Sequence, residues 1–213
     1  MLKTTRVSLL LLALLLALTG CVETVKGTAH PALRDHGSIS RLAVAPFSLS
    51  ERLVGVKTGE LETSVAAELL ANRFAEAIAA RGVHVIPPSD VAIALEAAGI
   101  TGRRVLARQV ATVVAEKFGA DAVLVGRLTR LVARDGSAAG ANRAATVGFV
   151  VDLHGAPGAA RLWTGNFDET QRPLTDNVFD ASRYPGGGSR WLSAEELLSW
   201  GALEVSNAMP VGY

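Results

Sequence analysis

Apolar positions first mass at Leu9–Leu18, an unbroken run of ten Leu and Ala residues behind Lys3 and Arg6 and ahead of Thr19, Gly20 and Cys21. A positive start, an apolar stretch and small residues before a cut describe a secretory signal peptide over residues 1–20. The run falls short of the ~20 residues a helix needs to cross a bilayer. Val22–Ser38 shows no apolar period, which predicts a flexible tether over residues 21–38, roughly 20–25 Å long as a coil. The pattern then tightens. Arg41-Leu-Ala-Val-Ala-Pro-Phe47 alternates as a short buried strand with Pro46 near its end. Glu60–Arg81 places Val65, Ala66, Leu69, Leu70, Phe74, Ala77 and Ile78 on one helical stripe. Gly82 closes that helix, Val83–Ile86 predicts a second strand, and Pro87-Pro88-Ser89-Asp90 predicts the cap of a helix over Val91–Ala98.

Arg103–Phe118 predicts another helix, ended by Gly119, and Asp121 leads into a strand over Ala122–Leu128. Strands alternating with helices in this way imply a parallel βαβ core. After Leu131 the rhythm changes to turn, strand (Ala144–Leu153), turn (Gly155–Gly158) and strand (Arg161–Phe167), which predicts antiparallel hairpins. Glu169–Trp191 is long and irregular, and it contains Arg183-Tyr-Pro-Gly-Gly-Gly188. Ser193 and Glu196 are spaced as a capping box for a helix over residues 194–209, with Leu197, Leu198, Gly201, Ala202, Val205 and Met209 on one face. The expected architecture is a single α/β domain over residues 39–213, in two or three layers. A mixed sheet, with a parallel βαβ core and antiparallel hairpins, is flanked by helices and interrupted by a long loop at residues 169–192.

Composition narrows the function classes. A chain of 213 residues with 49% apolar and 19% charged residues and a formal charge of +1 suits one mid-sized domain, and it suits neither a disordered polyampholyte nor a nucleic-acid binder. Loss of Lys3 and Arg6 with the leader takes the charge to −1, which predicts no attraction to anionic lipid. Cys21 is the only cysteine, and His30, His36, His84 and His154 stand at no metal-binding spacing, so no disulfide, metal or cofactor is expected.

Leu18-Thr19-Gly20-Cys21 resembles the bacterial lipobox, whose cysteine is acylated and becomes the first residue of the mature chain. The resemblance implies acylation of Cys21, palmitate included, and attachment to a membrane through those chains. Val22 in place of Asp implies sorting to the outer membrane. Further on, Arg41-Leu-Ala-Val-Ala-Pro-Phe47 and Lys117-Phe-Gly-Ala-Asp-Ala-Val-Leu-Val-Gly126 resemble the compact α/β domain of envelope lipoproteins. Its members include the curli-secretion protein CsgG, the penicillin-binding-protein activator LpoB and the TolB amino-terminal domain. This likeness covers Ile39 to Leu131, and it implies an envelope role and allows assembly of copies into a ring.

Motifs that would carry chemistry are incomplete. Gly55-Val56-Lys57-Thr58 sits where a phosphate loop would, but Val56 and Glu51 occupy the places that need glycine, so Lys57 reads as a solvated loop residue. Gly186–Gly188 reads as a flexible bend. His84, between Val83 and Val85, reads as a partly buried core histidine rather than a general base. Asp168 and Glu169 are neighbours on a strand and point to opposite faces, so they cannot share one substrate atom. No catalytic residue is expected.

The aromatic residues are unevenly placed. Trp163, Phe167, Phe179, Tyr184, Trp191 and Trp200 all fall in the last third, interleaved with Arg161, Arg172, Arg183 and Arg190. This composition suits either a recognition surface or a core beneath a long loop. Arg172, Arg183, Tyr184 and Trp191 are the candidate partner-binding residues. The expected function is a non-catalytic binding or assembly factor on the periplasmic face of the outer membrane, engaging an envelope protein whose identity the sequence does not name. A structural subunit of a homo-oligomeric secretion-type ring and an envelope hydrolase are the alternatives.

Overall fold

The computed structural model describes residues 25–55, 57–58, 61–102, 105–172, 184–186 and 188–212. The leader, Cys21 and Arg183 lie outside them. Chain order runs through strands β1 (Val25–Ala29), β2 (Arg41–Val44), β3 (Ser48–Leu49), β4 (Lys57–Thr58), β5 (Leu61–Glu62) and β6 (His84–Ile86). It continues with β7 (Ala122–Val132), β8 (Asp135–Gly136), β9 (Ala141–Arg143), β10 (Thr146–Gly155) and β11 (Arg161–Thr170). The described helices are α1 (Ala32–Asp35), α2 (Thr63–Ala79), α3 (Pro88–Ala97), α4 (Ala107–Phe118) and α5 (Ala194–Ala208).

The main sheet has the order β1-β11-β10-β7-β2-β6, with β3 added against β7. β2 pairs in parallel with both β6 and β7, as two helix-linked crossovers require. β10 is antiparallel to β7 and to β11, and β1 is antiparallel to β11. The sheet is therefore mixed, with a parallel half of βαβ units and an antiparallel half of hairpins.

The two halves are covered differently. On one face α2 and α5 bury Leu42, Val44, Leu124, Phe149, Val151 and Phe167 in a continuous core. On the other face α3 and α4 pack against Ala43, Ala45, Ile86 and Val123, at the parallel end only. The domain has three layers there and two layers beneath β10, β11 and β1. Sequence alternation explains the difference. Val147, Phe149, Val151 and Leu153 of β10 face the core, while Thr164, Asn166, Asp168 and Thr170 of β11 alternate with buried Trp163, Gly165 and Phe167.

Six aromatic rings run through the larger core in sequence. Phe47, Phe74, Phe149, Phe167, Trp200 and Tyr184 follow one another with centroids 5.1–5.7 Å apart. Close approach of backbone to ring explains two glycines. A Cβ on Gly126 would clash with the Phe47 ring, and one on Gly201 would stand 2.8 Å from Phe167. Gly119 caps α4 in the left-handed region, with φ 61°, where other residues are strained.

Within the stretch expected as a tether, residues 25–38 hold ordered structure. Val25–Ala29 forms an edge strand whose residues pair one for one with Phe167, Asn166, Gly165, Thr164 and Trp163. Ala32 and Leu33 of α1 pack on the core. The segment is polar and small because it is an edge strand with one face in solvent, not because it lacks a partner. Helix α3 also starts earlier than expected, with Pro88 in its first turn and no side-chain cap. β7 runs four residues past the expected end at Leu128, and β11 three past Phe167.

Candidate interaction surface

Among the described residues, no helix covers the outer face of the antiparallel half as α3 and α4 cover the parallel end, and this face carries a set of polar side chains. Asp152 lies opposite Thr164, Gly148 opposite Asp168 and Thr146 opposite Thr170. These residues bond to one another. The Thr164 hydroxyl donates to Asp152 Oδ1 at 2.6 Å, and Arg161 Nε lies 3.5 Å from the same oxygen. His30 Nε2 meets the Thr164 hydroxyl at 3.0 Å, which ties the end of β1 across the sheet. Arg130 pairs with Asp168 and donates to Thr170 Oγ1 at 3.1 Å. The face is hydrophilic and internally cross-linked.

Thr164 donates its proton to a carboxylate while meeting His30, so the hydroxyl is engaged on both sides. His154 is buried, with Nδ1 3.0 Å from the Ala159 carbonyl oxygen. His84, expected to be partly buried, is exposed because β6 is an edge strand. Lys57 lies in β4, whose backbone is laddered to β5, so the chain there runs as a small hairpin. Among the described residues, no three His, Cys, Asp or Glu side chains converge as a metal site. Likewise, none of the described helices is long and apolar enough to cross a membrane.

The long segment after β11 is gripped at its neck. Buried Gln171 donates its amide to the Arg190 carbonyl at 2.8 Å and accepts the Leu192 N–H at 2.6 Å. Arg134 donates to the Trp191 carbonyl, and the Trp191 N–H donates to Ala138 at 2.9 Å. At the start of α5, Ser193 and Glu196 form the expected capping box. Burial works to raise the Glu196 pKa, but the Ser193 N–H and Arg190 outweigh it and hold the carboxyl below its usual value.

The candidate partner-binding residues separate here. Arg172 is exposed and Trp191 is half-buried. Tyr184 is 5% exposed, stacks near Trp200 and donates its hydroxyl to Glu169 at 2.7 Å. Its role is packing, which corrects the expectation of an exposed hot-spot ring. Trp163, Phe167 and Trp200 are buried as well, so four of the five described aromatic residues of the last third serve the core. Arg183 and Phe179 lie outside the described residues. Asp168 and Glu169 do point to opposite faces, one toward Arg130 and the other toward Tyr184.

A second feature lies at the opposite end of the sheet. Asp121 Oδ2 accepts the Ser40 N–H at 2.9 Å, the Ser40 hydroxyl at 2.8 Å and the Arg41 N–H at 2.8 Å. Burial works to raise its pKa, but these donors, aided by His36, prevail and hold the carboxyl below its ordinary value. The motif that resembles envelope lipoproteins thus contains a structural clamp between β2 and β7. A shallow groove of about 350 Å³ lies between α3 and α4, lined by Asp90, Ile93, Ala97, Lys117 and Phe118.

No protein family model matches the chain, and no curated protein matches it. Among solved structures, the fold is similar to the PelC dodecamer from Paraburkholderia phytofirmans, at TM-score 0.50 and 16% identity over 88% of this chain and 98% of that one. Lipoprotein GNA1162 from Neisseria meningitidis matches at TM-score 0.45 and 17% identity over 62% of this chain and 83% of that one. The LpoB C-terminal domain from Salmonella enterica matches at 0.40 and 18% over 64% and 87%. The PelC likeness shows a shared mixed α/β fold.

Proposed function

We propose that this chain is an outer-membrane lipoprotein, acylated at Cys21 and facing the periplasm, whose domain works without catalysis as a binding or assembly factor in an envelope complex. The observation that supports it most is the uncovered, cross-linked polar face of β10, β11 and β1, which belongs to a strand starting four residues after the lipobox cysteine. A domain attached at its sheet edge presents that face to partners close to the membrane. The leader and lipobox support the anchor, and the mutually engaged polar groups support a role in recognition rather than turnover.

Crosslinking in intact cells followed by co-purification tests the proposal. A defined envelope protein should be captured by the wild-type chain and lost when outer-face residues Asn166 and Asp168 are replaced. Labelled palmitate should enter the wild type but not the Cys21→Ser variant. Capture unaffected by the outer-face changes, or a mature chain that starts elsewhere, overturns this reading.

A ring of identical subunits is the second reading. β1 and β6 close the sheet at its two edges, and an edge strand carries unpaired backbone groups on one side. The fold it shares with a PelC dodecamer is compatible with such an assembly. Sedimentation of the full-length acylated protein in detergent separates the two readings: a single large species supports the ring, and a monomer rejects it.

A further inference from the structure

Edge strand β1 leaves one side of its backbone open. The His30 N–H donates to the Leu162 carbonyl at 2.8 Å, and residues 25–29 pair with β11 one for one. Antiparallel neighbours bond at every second residue. Lys26 and Thr28 therefore bond to β11 as His30 does, while the N–H and C=O groups of Val25, Gly27 and Ala29 point away from the sheet. Among the described residues no strand pairs with that side, and residues 26–29 are exposed.

The same three residues line a groove. Val25 and Ala29 lie opposite buried Phe167 and Trp163, so positions 25, 27 and 29 face the α5 side of the sheet. A groove of about 610 Å³ opens there between β1 and the last turns of α5. Trp163 underlies it, close enough that a Cβ on Gly27 would stand 3.1 Å from the ring. Gly201 meets Phe167 and Gly165 meets Val205, so α5 runs in the same sense as β1. Glu204 thus stands toward the Val25 end of the groove, and Ala208 with Pro210 toward the Ala29 end. Glu204 is half-buried, and among the described residues it has no hydrogen-bond or ion-pair partner.

We propose that β1 accepts an extended segment of a partner protein as an added antiparallel strand, with a basic side chain of that segment against Glu204 and apolar ones beside Ala208 and Pro210. The open backbone groups supply the ladder, and the groove reads every second side chain. Small Gly27 and Ala29 leave room for larger side chains from the partner. A second copy of this chain is a poorer occupant. Its β6 edge offers three residues to the five of β1. Its β1 edge, turned about Gly27, brings two Glu204 carboxylates to one side of the joined sheet with no basic groove residue between them. The site is separate from the outer polar face and needs no acyl chain at Cys21.

Fluorescence anisotropy of a labelled, blocked peptide Thr-Val-Thr-Val-Thr-Arg-Thr with the full-length protein in detergent tests the site. Paired antiparallel, this peptide sets its Val and Arg side chains in the groove, with Arg beside Glu204, and turns the N–H groups of those residues toward β1. Binding should be saturable and should weaken at least about threefold when Arg is replaced by Glu. N-methylation of the Val residues should weaken it at least about tenfold, and N-methylation of the Thr residues between them should not. Glu204→Gln should remove the preference for Arg, and Ala29→Pro, which deletes an outward N–H and spares the β11 ladder, should weaken binding. The peptide comparisons use the wild-type chain, so they decide even where a variant fails to fold. No saturable binding, equal affinity for the Arg and Glu peptides, or indifference to N-methylation overturns the proposal. Self-association in sedimentation that Ala29→Pro dissolves gives the edge to a second copy and overturns it as well.

Discussion

Gln171 holds the Leu192 N–H at 2.6 Å across the neck of a segment twenty residues long, and the same amide reaches the Arg190 carbonyl at 2.8 Å. One buried side chain thereby bridges the two ends of the connection between β11 and α5. Replacement by Ala leaves a buried N–H and a carbonyl without their partner, and each such loss costs roughly 1–3 kcal/mol. Gln171→Ala should lower unfolding free energy by about 2–4 kcal/mol in urea titration and speed proteolytic cleavage between residues 172 and 190. Unchanged stability and cleavage would show that the bonds of Trp191 to Arg134 and Ala138 hold the neck without Gln171.

Tyr184 and Arg172 should behave in opposite ways. Tyr184→Ala removes a buried ring from the aromatic series and should cost about 3–5 kcal/mol. Exposed Arg172→Ala should stay within about 0.5 kcal/mol. Thermal melts decide the comparison, and a Tyr184→Ala protein as stable as wild type would return this ring to the list of surface residues.

Asp121 makes part of the stability dependent on pH. Its native carboxyl titrates below the ordinary carboxylate value, so the unfolded chain takes up this proton first as pH falls. The stabilisation is complete above about pH 4 and decays as pH drops through the lower native value. Asp121→Asn should cost about 1–3 kcal/mol at neutral pH, and its stability curve should converge on that of the wild type only under acid conditions. A constant difference down to acid pH would assign the effect to geometry and not to charge.

Glycines beside rings should resist enlargement. Gly201→Ala pushes a Cβ into the Phe167 ring and should destabilise by about 1–3 kcal/mol. At Gly158 the same change meets open space, so a stability change within about 1 kcal/mol is expected in either direction. Paired denaturation curves of the two variants check whether packing, rather than helix propensity, sets the first value.

Much of the fold was legible because its signals are local. Alternation at Leu42–Val44, the stripe from Ala66 to Ile78, Gly119 and the Ser193–Glu196 box each report on neighbours within a few residues. What escaped is decided by distant partners. Val25–Ala29 has too little apolar character to read as a strand, and it becomes one because Trp163–Phe167, some 140 positions later, offers a free edge. Tyr184 sits among glycines and looks exposed, yet Trp200 and Glu169 bury it. His84 is flanked by valines and looks internal, but its strand lies at the sheet's rim. The outer polar face shows only as alternation within β11, and its cross-links join strands that the sequence does not order.

Val25 begins a strand that runs along its neighbour in opposite sense, with five residues in register. A pull applied at Val25 along that strand's axis loads the whole ladder in shear and does not open it one bond at a time. With the acyl anchor proposed at Cys21, tension drawn through Val25 would pass into β11 and the core before any single contact could peel.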